Sequence, residues 1–304
     1  MNTNKALLIL TILLVSSAAL HAADSAVEIA RRAQNAEKMI SYRGTKSIHV
    51  TINNKTCAST VKIVHKKPDM TRREFFSPSQ CAGVVLIERG SNTWKYDPAE
   101  KCWEQMSWMI SREYHPRVFD NYTLKLIGAG KIAGRDAYVI LAVPKHGEGR
   151  RYKIWVDKHT YLMLRIDTQN TAGKTTTSAW FTDIAVEPRD ISSTTFSIPA
   201  NAHKANCPSC VDFAVRKPAY VPKGYRMIGI SKGVVDGRCY AHLQYSNGAN
   251  IISLFERKST RGSTPPKTQQ KIEAVMSWVD GGVLFTLIGD VSSSELKKIA
   301  SSIK

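Results

Sequence analysis

The sequence predicts an α+β protein, with a large antiparallel β-sheet followed by a smaller α+β unit towards the end of the chain. Residues 134–184 predict three or four strands separated by turn residues. A continuous apolar run over 137–143 is followed by segments at 152–157 and 162–167 in which apolar and polar side chains alternate, as in half-buried antiparallel strands. Capping boxes begin helical patterns at Ser25 and at Ser292. The pattern loosens over residues 186–202, which indicates the end of the first unit.

The first residues have the three-part plan of a secretory signal peptide. Lys5 precedes an apolar run over residues 6–20, and small residues follow at Ala22 and Ala23. This run is shorter than the about 20 apolar residues that a membrane-spanning helix needs. We therefore expect residues 1–22 to be a signal peptide that is cleaved near Ala22 or Ala23, and the mature chain to be exported.

Residues 23–202 are predicted to form the large-sheet domain. It opens with a helix over residues 25–42, whose apolar side chains recur at helical spacing. Residues 108–119 are expected to form a short helix or a lid-like loop before the last strands. The earlier strands are expected at 44–52, 59–65, 71–77, 84–89, 93–97 and 101–106, with another from residue 122.

A connector over residues 203–217 is predicted to lead into a small α+β domain over residues 218–304. Residues 272–279 fit either a helix or a strand, and the turn Asp280-Gly281-Gly282 that follows them favours a β-hairpin. The other strands are expected at 227–232, 238–245, 250–257 and 283–290, ahead of a last helix.

The chain is strongly basic, with 43 Lys and Arg against 25 Asp and Glu and a formal net charge of +18. For an exported protein, this excess favours phospholipid or lipopolysaccharide head groups, or an acidic protein segment, over nucleic acid as the partner. Charge that serves only solubility is the alternative interpretation.

The sequence contains no motif that indicates an enzymatic function. It has no Gly-x-Ser-x-Gly elbow, and its eight histidines have no metal-site spacing. Gly173-Lys174-Thr175 ends like a phosphate-binding loop, but Thr168 stands where that motif needs its first glycine. We therefore expect neither a metal nor a cofactor.

Six cysteines are present, and export permits disulfides. A β-hairpin centred near Asp69 would place Cys57 opposite Cys81, where cross-strand Cβ atoms lie about 4.5–5.5 Å apart. We predict a Cys57–Cys81 disulfide on that basis.

Cys207-x-x-Cys210 in the connector is interpreted as a structural staple, with Cys102 or Cys239 as a candidate partner. A redox pair, or half of a zinc site with His203, is less favoured because no strand–helix context and no second cysteine pair accompany it.

Most of the aromatic residues fall within the predicted large sheet. One interpretation is an ordinary core, and the other is a hydrophobic cleft that accepts an acyl chain or an apolar peptide. The candidate ligand-binding residues of this cleft are Trp94, Tyr96, Trp103, Trp108, Trp155, Met163 and Trp180.

Several short motifs follow one another along the chain in a specific order. They are Gly134-Arg135-Asp136-Ala137, Tyr152-Lys153-Ile154-Trp155-Val156-Asp157, Leu162-Met163-Leu164-Arg165, Val221-Pro222-Lys223-Gly224-Tyr225 and Tyr245-Ser246-Asn247-Gly248. Their order and spacing resemble those of the RseB/MucB family. Asn247 and Tyr225 stand where that family usually has Asp and Phe, and the cysteines are not part of its pattern.

This resemblance implies a half-barrel sheet of the LolA/LolB type wrapped around helices. It also implies a periplasmic negative regulator of a sigma-E type envelope-stress response, which binds the periplasmic part of a membrane-spanning anti-sigma factor and protects it from proteolysis. The hydrophobic cleft would sense lipid or lipopolysaccharide. A periplasmic lipid or lipoprotein carrier of the LolA type is the alternative, and self-association is left open.

An acidic segment of such a partner would meet a basic surface of the second unit. The candidate partner-binding residues are Lys223, Arg226, Arg257, Lys258 and Arg261.

Overall fold

The computed structural model contains two β-sheets, one of twelve strands and one of five, each with a helix against it. The structure describes residues 25–52, 55–78, 82–98, 101–105, 121–146, 149–170, 172–200, 203–204, 211–235, 238–248, 250–259, 275–289 and 291–304.

The chain begins its described part with helix α1 (Ala26–Met39). The Ser25 hydroxyl accepts a hydrogen bond from the backbone N–H of Glu28 at 3.2 Å, as the capping box predicts. The Glu28 carboxylate pairs with Arg31 and Arg32 on the exposed side. The helix ends earlier than predicted, because Ile40 is already extended.

Twelve strands form the larger sheet, and all neighbouring pairs are antiparallel except the parallel pair of β6 and β12. In the sheet they are ordered β12-β6-β5-β4-β3-β2-β1-β11-β10-β9-β8-β7. Their bounds are β1 (Tyr42–Ile52), β2 (Lys55–Lys66), β3 (Met70–Phe75), β4 (Val85–Arg89), β5 (Asn92–Asp97), β6 (Cys102–Gln105), β7 (Tyr122–Ile132), β8 (Arg135–Pro144), β9 (Arg151–Asp157), β10 (Met163–Gln169), β11 (Thr175–Val186) and β12 (His203–Lys204).

The larger sheet is curved but open. β7 comes back close to β11, and Ile132 and Ala133 pack against the cluster that contains Phe181 of β11. Helix α1 covers one face near β7, β8 and β9, where Ile29 packs with Ile140. This confirms the large curved antiparallel sheet that the sequence predicts.

Five strands form the smaller sheet, in the order β13-β14-β15-β17-β16. Their bounds are β13 (Arg226–Val235), β14 (Arg238–Ser246), β15 (Ile251–Lys258), β16 (Val275–Asp280) and β17 (Val283–Gly289). Helix α2 (Ser293–Ser301), capped by Ser292, buries Leu296 and Ile299 against this sheet. The ambiguous stretch before Asp280 is therefore a strand over its described part.

The predicted Cys57–Cys81 disulfide is wrong in this structure, where Cys57 is an exposed free thiol. The reason is the register of the β2–β3 hairpin. Lys66 pairs with Met70, so the turn is centred at Pro68 and not at Asp69. A shift of one residue at the centre moves every cross-strand partner by two, so the register that would place Cys57 opposite Cys81 is not formed. Cys81 itself lies outside the described residues.

Cys239 on β14 is engaged in a disulfide. The predicted staple of Cys207 and Cys210 lies outside the described residues, as do the predicted signal peptide and residues 108–119. His203 and Lys204 extend the larger sheet two residues into the predicted connector. Within the part of the chain that the structure describes, no helix has the length and apolar character to cross a membrane.

Candidate functional site

The candidate site is the junction where the larger sheet meets the loops of the smaller one. Asn121 stands directly before β7 and donates from its side-chain amide to the backbone oxygen of Asn247 at 2.6 Å. A longer hydrogen bond of 3.4 Å runs from the same amide to the backbone oxygen of Gly224. One side chain of the first unit therefore holds two loops of the second.

A second set of hydrogen bonds crosses the junction through Asn250. Its amide nitrogen donates to the Tyr122 hydroxyl at 2.8 Å, and its oxygen accepts from the Tyr152 hydroxyl at 2.5 Å. Tyr122 and Asn250 are each only 2% exposed. Because buried polar groups are costly when unpaired, this set is stable only as a complete network.

Gly224 is glycine for two physical reasons. Its φ of +90° lies in the region that side chains disfavour, and a Cβ there would stand 2.4 Å from the Oδ1 atom of Asn121. The loop can therefore approach Asn121 only without a side chain at this position.

The junction brings together residues from three of the sequence motifs. Gly224 lies in Val221–Tyr225, Asn247 in the turn after β14, and Tyr152 at the start of the β9 motif. Asn247 stands where the resembled family usually has Asp, and it keeps an oxygen acceptor at this position. Its Oδ1 accepts a hydrogen bond from the backbone N–H of Asn250 at 2.7 Å. Asn121 and Asn250 were not predicted, because neither lies in a local pattern that marks it.

The β9 motif has a second, structural explanation in the Arg135–Asp157 ion pair. Asp157 is fully buried, and the Arg135 guanidinium donates to both of its oxygens at 2.6 and 3.2 Å. Burial raises the pKa of Asp157, but hydrogen bonds from Arg135, Thr160 and His159 outweigh burial and lower it. The same carboxylate thus holds the turn between β9 and β10.

The predicted cleft residues fall into two separate groups. Trp94, Tyr96 and Trp103 pack around the core cluster that contains Ile87 and Phe196. Trp155 and Trp180 lie on strands β9 and β11. Strands β4, β3, β2 and β1 stand between β5 and β11, which is about 24 Å along the sheet at roughly 4.8 Å per strand.

The second group is built around Arg165 of β10. Its guanidinium lies 4.7 Å from the ring centre of Trp155 and 5.5 Å from that of Trp180, and it pairs with Asp167 at 2.8 and 2.9 Å. These half-buried residues lie on the face away from α1, because neighbouring residues such as Ile154 pack towards the helix. We call Trp155, Arg165 and Trp180 the tryptophan–arginine ladder.

Met163 does not join this ladder. A bulge between Met163 and Arg165 pairs Met163 with Val156, which belongs to the α1 side of the sheet. Trp108 lies outside the described residues. Among the described residues, the predicted aromatic residues therefore stand in two groups along a curved sheet, and Met163 lies on the side of α1, so a single cleft that they line stays a prediction.

The predicted basic residues are divided between two ends of the smaller sheet. At one end, Arg226 of β13 is the cross-strand partner of Ser246 on β14, which in turn pairs with Ile251 of β15. At the other end, Arg257 of β15 pairs with Tyr240 of β14. The two ends are about 20 Å apart at roughly 3.4 Å per residue. Lys223 lies at the first end, Lys258 forms an ion pair with Asp212 at the second, and Arg261 is not among the described residues.

Two buried titratable residues of the smaller sheet were not predicted. Burial raises the pKa of Glu256 to about 7, although its carboxylate accepts the backbone N–H of Arg216 at 3.1 Å. Burial also lowers the pKa of His242 to about 4. Within the described part of the chain, neither ring nitrogen of His242 has a hydrogen-bond partner, and its ring stacks on Phe255 at 4.0 Å.

The described residues contain no group of His, Cys, Asp and Glu suited to a metal ion. What the junction offers is a satisfied network of neutral hydrogen bonds between two sheets. Such bonds contribute about 1 kcal/mol each to stability, so a partner or ligand of ordinary affinity could rearrange them.

The comparisons with known proteins agree with this architecture. A sigma-E factor regulatory protein, RseB, of Haemophilus influenzae is 23% identical over 265 residues, which cover 84% of this chain and 80% of that protein. The crystal structure of MucB has a TM-score of 0.68 at 17% identity and covers 91% of this chain and 97% of that chain.

The complex of Pseudomonas aeruginosa MucA and MucB gives the same TM-score of 0.68 at 16% identity, covering 92% of this chain and 98% of that one. At this identity, the two structures show that the fold is that of MucB over both sheets. The model of the MucB/RseB N-terminal domain matches residues 25–205, more than half of the chain. The chain belongs to the MucB/RseB family.

Proposed function

We propose that this protein is a periplasmic negative regulator of a sigma-E type envelope-stress response. It binds the periplasmic part of a membrane-spanning anti-sigma factor and protects that part from proteolysis. Two similarities support the proposal. The Haemophilus influenzae relative is a sigma-E factor regulatory protein, and MucB has been solved in complex with MucA.

The observation that carries the proposal is that the likeness to MucB spans both sheets. A lipid or lipoprotein carrier of the LolA type needs only the larger sheet, so the smaller sheet and its junction favour regulation over transport. The protein acts by binding rather than by catalysis.

The junction is the proposed point of control. A ligand can shift the arrangement of the two sheets only if it binds one arrangement more tightly than the other. The hydrogen bonds of Asn121 and Asn250 exist in the arrangement described above, and a second arrangement would have to replace them. Their modest strength keeps such a shift within reach of one ligand.

The ligand-sensing surface is proposed at the tryptophan–arginine ladder. Its indole rings are half-buried beside cationic groups, and Lys153 lies 5.0 Å from the Trp155 ring centre. Aromatic rings next to cations suit an amphiphile that carries both an acyl chain and an anionic head group. Lipid and lipopolysaccharide both have this chemistry.

A protease-protection assay tests the regulatory function directly. The purified periplasmic domain of the anti-sigma factor is digested by its site-specific protease, with and without an excess of the mature chain. We expect cleavage of the anti-sigma domain to slow at least ten-fold, while cleavage of an unrelated substrate by the same protease is unchanged. Unchanged cleavage of the anti-sigma domain, together with recovery of assorted lipoproteins from the envelope, would favour the carrier instead.

A further inference from the structure

Strand β7 has the longest unbroken run of exposed residues among the described residues of the larger sheet. Five consecutive residues, from Lys125 to Ala129, are exposed, and Leu126 and Ile127 show 41% and 47% of their surfaces. Among the described residues, no strand pairs with β7 on the side away from β8. A long edge of this kind is usually a liability, because it offers free backbone groups to any other strand.

The direction of these backbone groups follows from the hairpin that joins β7 to β8. Ala133 and Gly134 both have positive φ, so Ile132 and Arg135 close a two-residue turn as a hydrogen-bonded pair. Hydrogen-bonded and open pairs alternate along antiparallel strands. The N–H and C=O groups of Ala129 and Lys131 therefore point away from β8.

The direction of the backbone groups in the first half of β7 follows from the hydrogen bond at the start of the strand. The backbone N–H of Lys145 donates to the oxygen of Asn121 at 2.8 Å, which fixes the alternation there. Leu124 and Leu126 consequently direct their backbone groups outwards, and a bulge after Leu126 separates the two halves. Ile127 is the extra residue of that bulge, and its side chain is left exposed.

Charge decides which strand this edge can accept. Lys125 and Lys131 are both exposed on β7, so two copies of the chain would bring like charges together along the edge. Lys131 forms an ion pair with Asp136 at 3.6 Å, which offsets part of its positive charge. Lys125 therefore attracts an acidic partner strand more strongly. Cross-strand pairs of opposite charge are stabilising, whereas like charges are not.

We infer that the outer edge of β7 binds an extended, acidic segment of the anti-sigma factor as an added antiparallel or parallel strand. The backbone groups of Leu124, Leu126 and Ala129 would supply the hydrogen bonds, and Ile127 an apolar contact. Lys131 is left out because β7 comes close to β11 and the neighbouring Ile132 packs against the cluster of Phe181. This inference rests on the proposed function, because it assigns the place and mode of that binding.

Amide hydrogen exchange on the full mature chain, alone and with the periplasmic domain of the anti-sigma factor, tests the inference. The outward-facing amides of Leu124, Leu126 and Ala129 should exchange at least ten-fold more slowly in the complex. Binding without protection of these amides would overturn the inference and leave the proposed function standing. Absence of binding by the unaltered chain would overturn both.

Proline substitution supplies a matched pair of variants. Ala129→Pro removes one outward-facing N–H without breaking the pairing with β8, and should weaken binding at least ten-fold. Val279→Pro removes an equivalent outward N–H from edge strand β16 of the smaller sheet, where Gly281 and Gly282 fix the same turn geometry. It should bind within two-fold of the unaltered chain.

A charge variant keeps the test independent of the proline substitutions. Lys125→Glu leaves the backbone unchanged and should weaken binding several-fold at low ionic strength, with the difference shrinking as salt rises. Equal binding by Ala129→Pro, Lys125→Glu and the unaltered chain, with circular dichroism showing all three folded, would contradict strand addition at β7.

Discussion

Glu256 and His242 lie on adjacent strands of the smaller sheet, and burial acts on them in opposite directions. A carboxylic acid with a raised pKa binds its proton in the folded state at a pH where the unfolded chain has lost it. A histidine with a lowered pKa does the reverse. The two residues therefore give stability opposite dependences on pH.

For Glu256, the free energy of unfolding should fall as pH rises from about 4.5 to about 7, because the folded state binds more protons in this window. Glu256→Gln keeps an acceptor for the Arg216 N–H and cannot ionise. We expect the variant to be more stable than the unaltered protein at pH 8 by about 2–3 kcal/mol, and equally stable near pH 4.5. Guanidinium titrations at both pH values measure this, and a constant difference would contradict it.

For His242, the dependence of the free energy of unfolding on pH has the opposite sign. Its pKa of about 4 lies below the unfolded value of 6.5, so stability should be lost as pH falls through this window. His242→Phe keeps the stacking on Phe255 and removes the two unpartnered nitrogens. The variant should gain about 1 kcal/mol at pH 8, and more at pH 5. A variant that loses stability at pH 5 would show that the ring nitrogens have a role that the buried geometry does not reveal.

At the scale of the elements, Gly224 and Gly173 separate two costs of adding a side chain. Both have positive φ, +90° and +79°. At Gly224 a Cβ would meet Asn121, whereas at Gly173 no atom of the described residues lies within 4 Å. Gly173→Ala should therefore lower stability by the backbone cost alone, about 1–2 kcal/mol.

Gly224→Ala should cost more than that, and it should also change the small-angle scattering profile, because the loop must move away from Asn121. Adding Asn121→Ala in the same chain should recover part of the loss, since it removes the atom that the new Cβ meets. Equal losses from Gly224→Ala and Gly173→Ala, with no recovery in the double variant, would show that the contact with Asn121 has no energetic weight.

The elements that the sequence predicted are those with a local pattern. The alternation in β9 and β10 and the capping boxes of both helices depend on neighbouring residues, so they can be found along the chain. Register is different. The register of strand pairing depends on the centre of a turn or on the position of a bulge. The expectation for Cys57 failed because of one residue at a turn centre, and the expectation for Met163 because of one residue at a bulge.

The contacts of the junction are even harder to predict from local sequence patterns. Asn250 and Tyr122 are 128 positions apart, and no spacing rule connects them before the two sheets are placed together. The glycine motif around Gly224 and the turn around Asn247 were the available signals. They marked the loops but not the side chain of Asn121 between them.

For the whole molecule, the net charge of +18 predicts that binding of the proposed partner, an acidic segment of the anti-sigma factor, weakens as salt rises. The two ends of the smaller sheet should contribute unequally. Lys258 is already paired with Asp212, whereas Lys223 is exposed beside the junction. Charge reversal at Lys223 should therefore reduce affinity more than the same change at Lys258.

Titration calorimetry at 50 and 300 mM salt measures this difference with Lys223→Glu and Lys258→Glu as a matched pair. We expect Lys223→Glu to weaken binding by about 1 kcal/mol at the lower salt concentration, and by less at the higher one. Lys258→Glu also leaves Asp212 without its cation, so its effect on stability must be measured alongside. Affinity that is indifferent to salt and to both substitutions would place the partner on an uncharged surface, and would count against an acidic segment as the bound element.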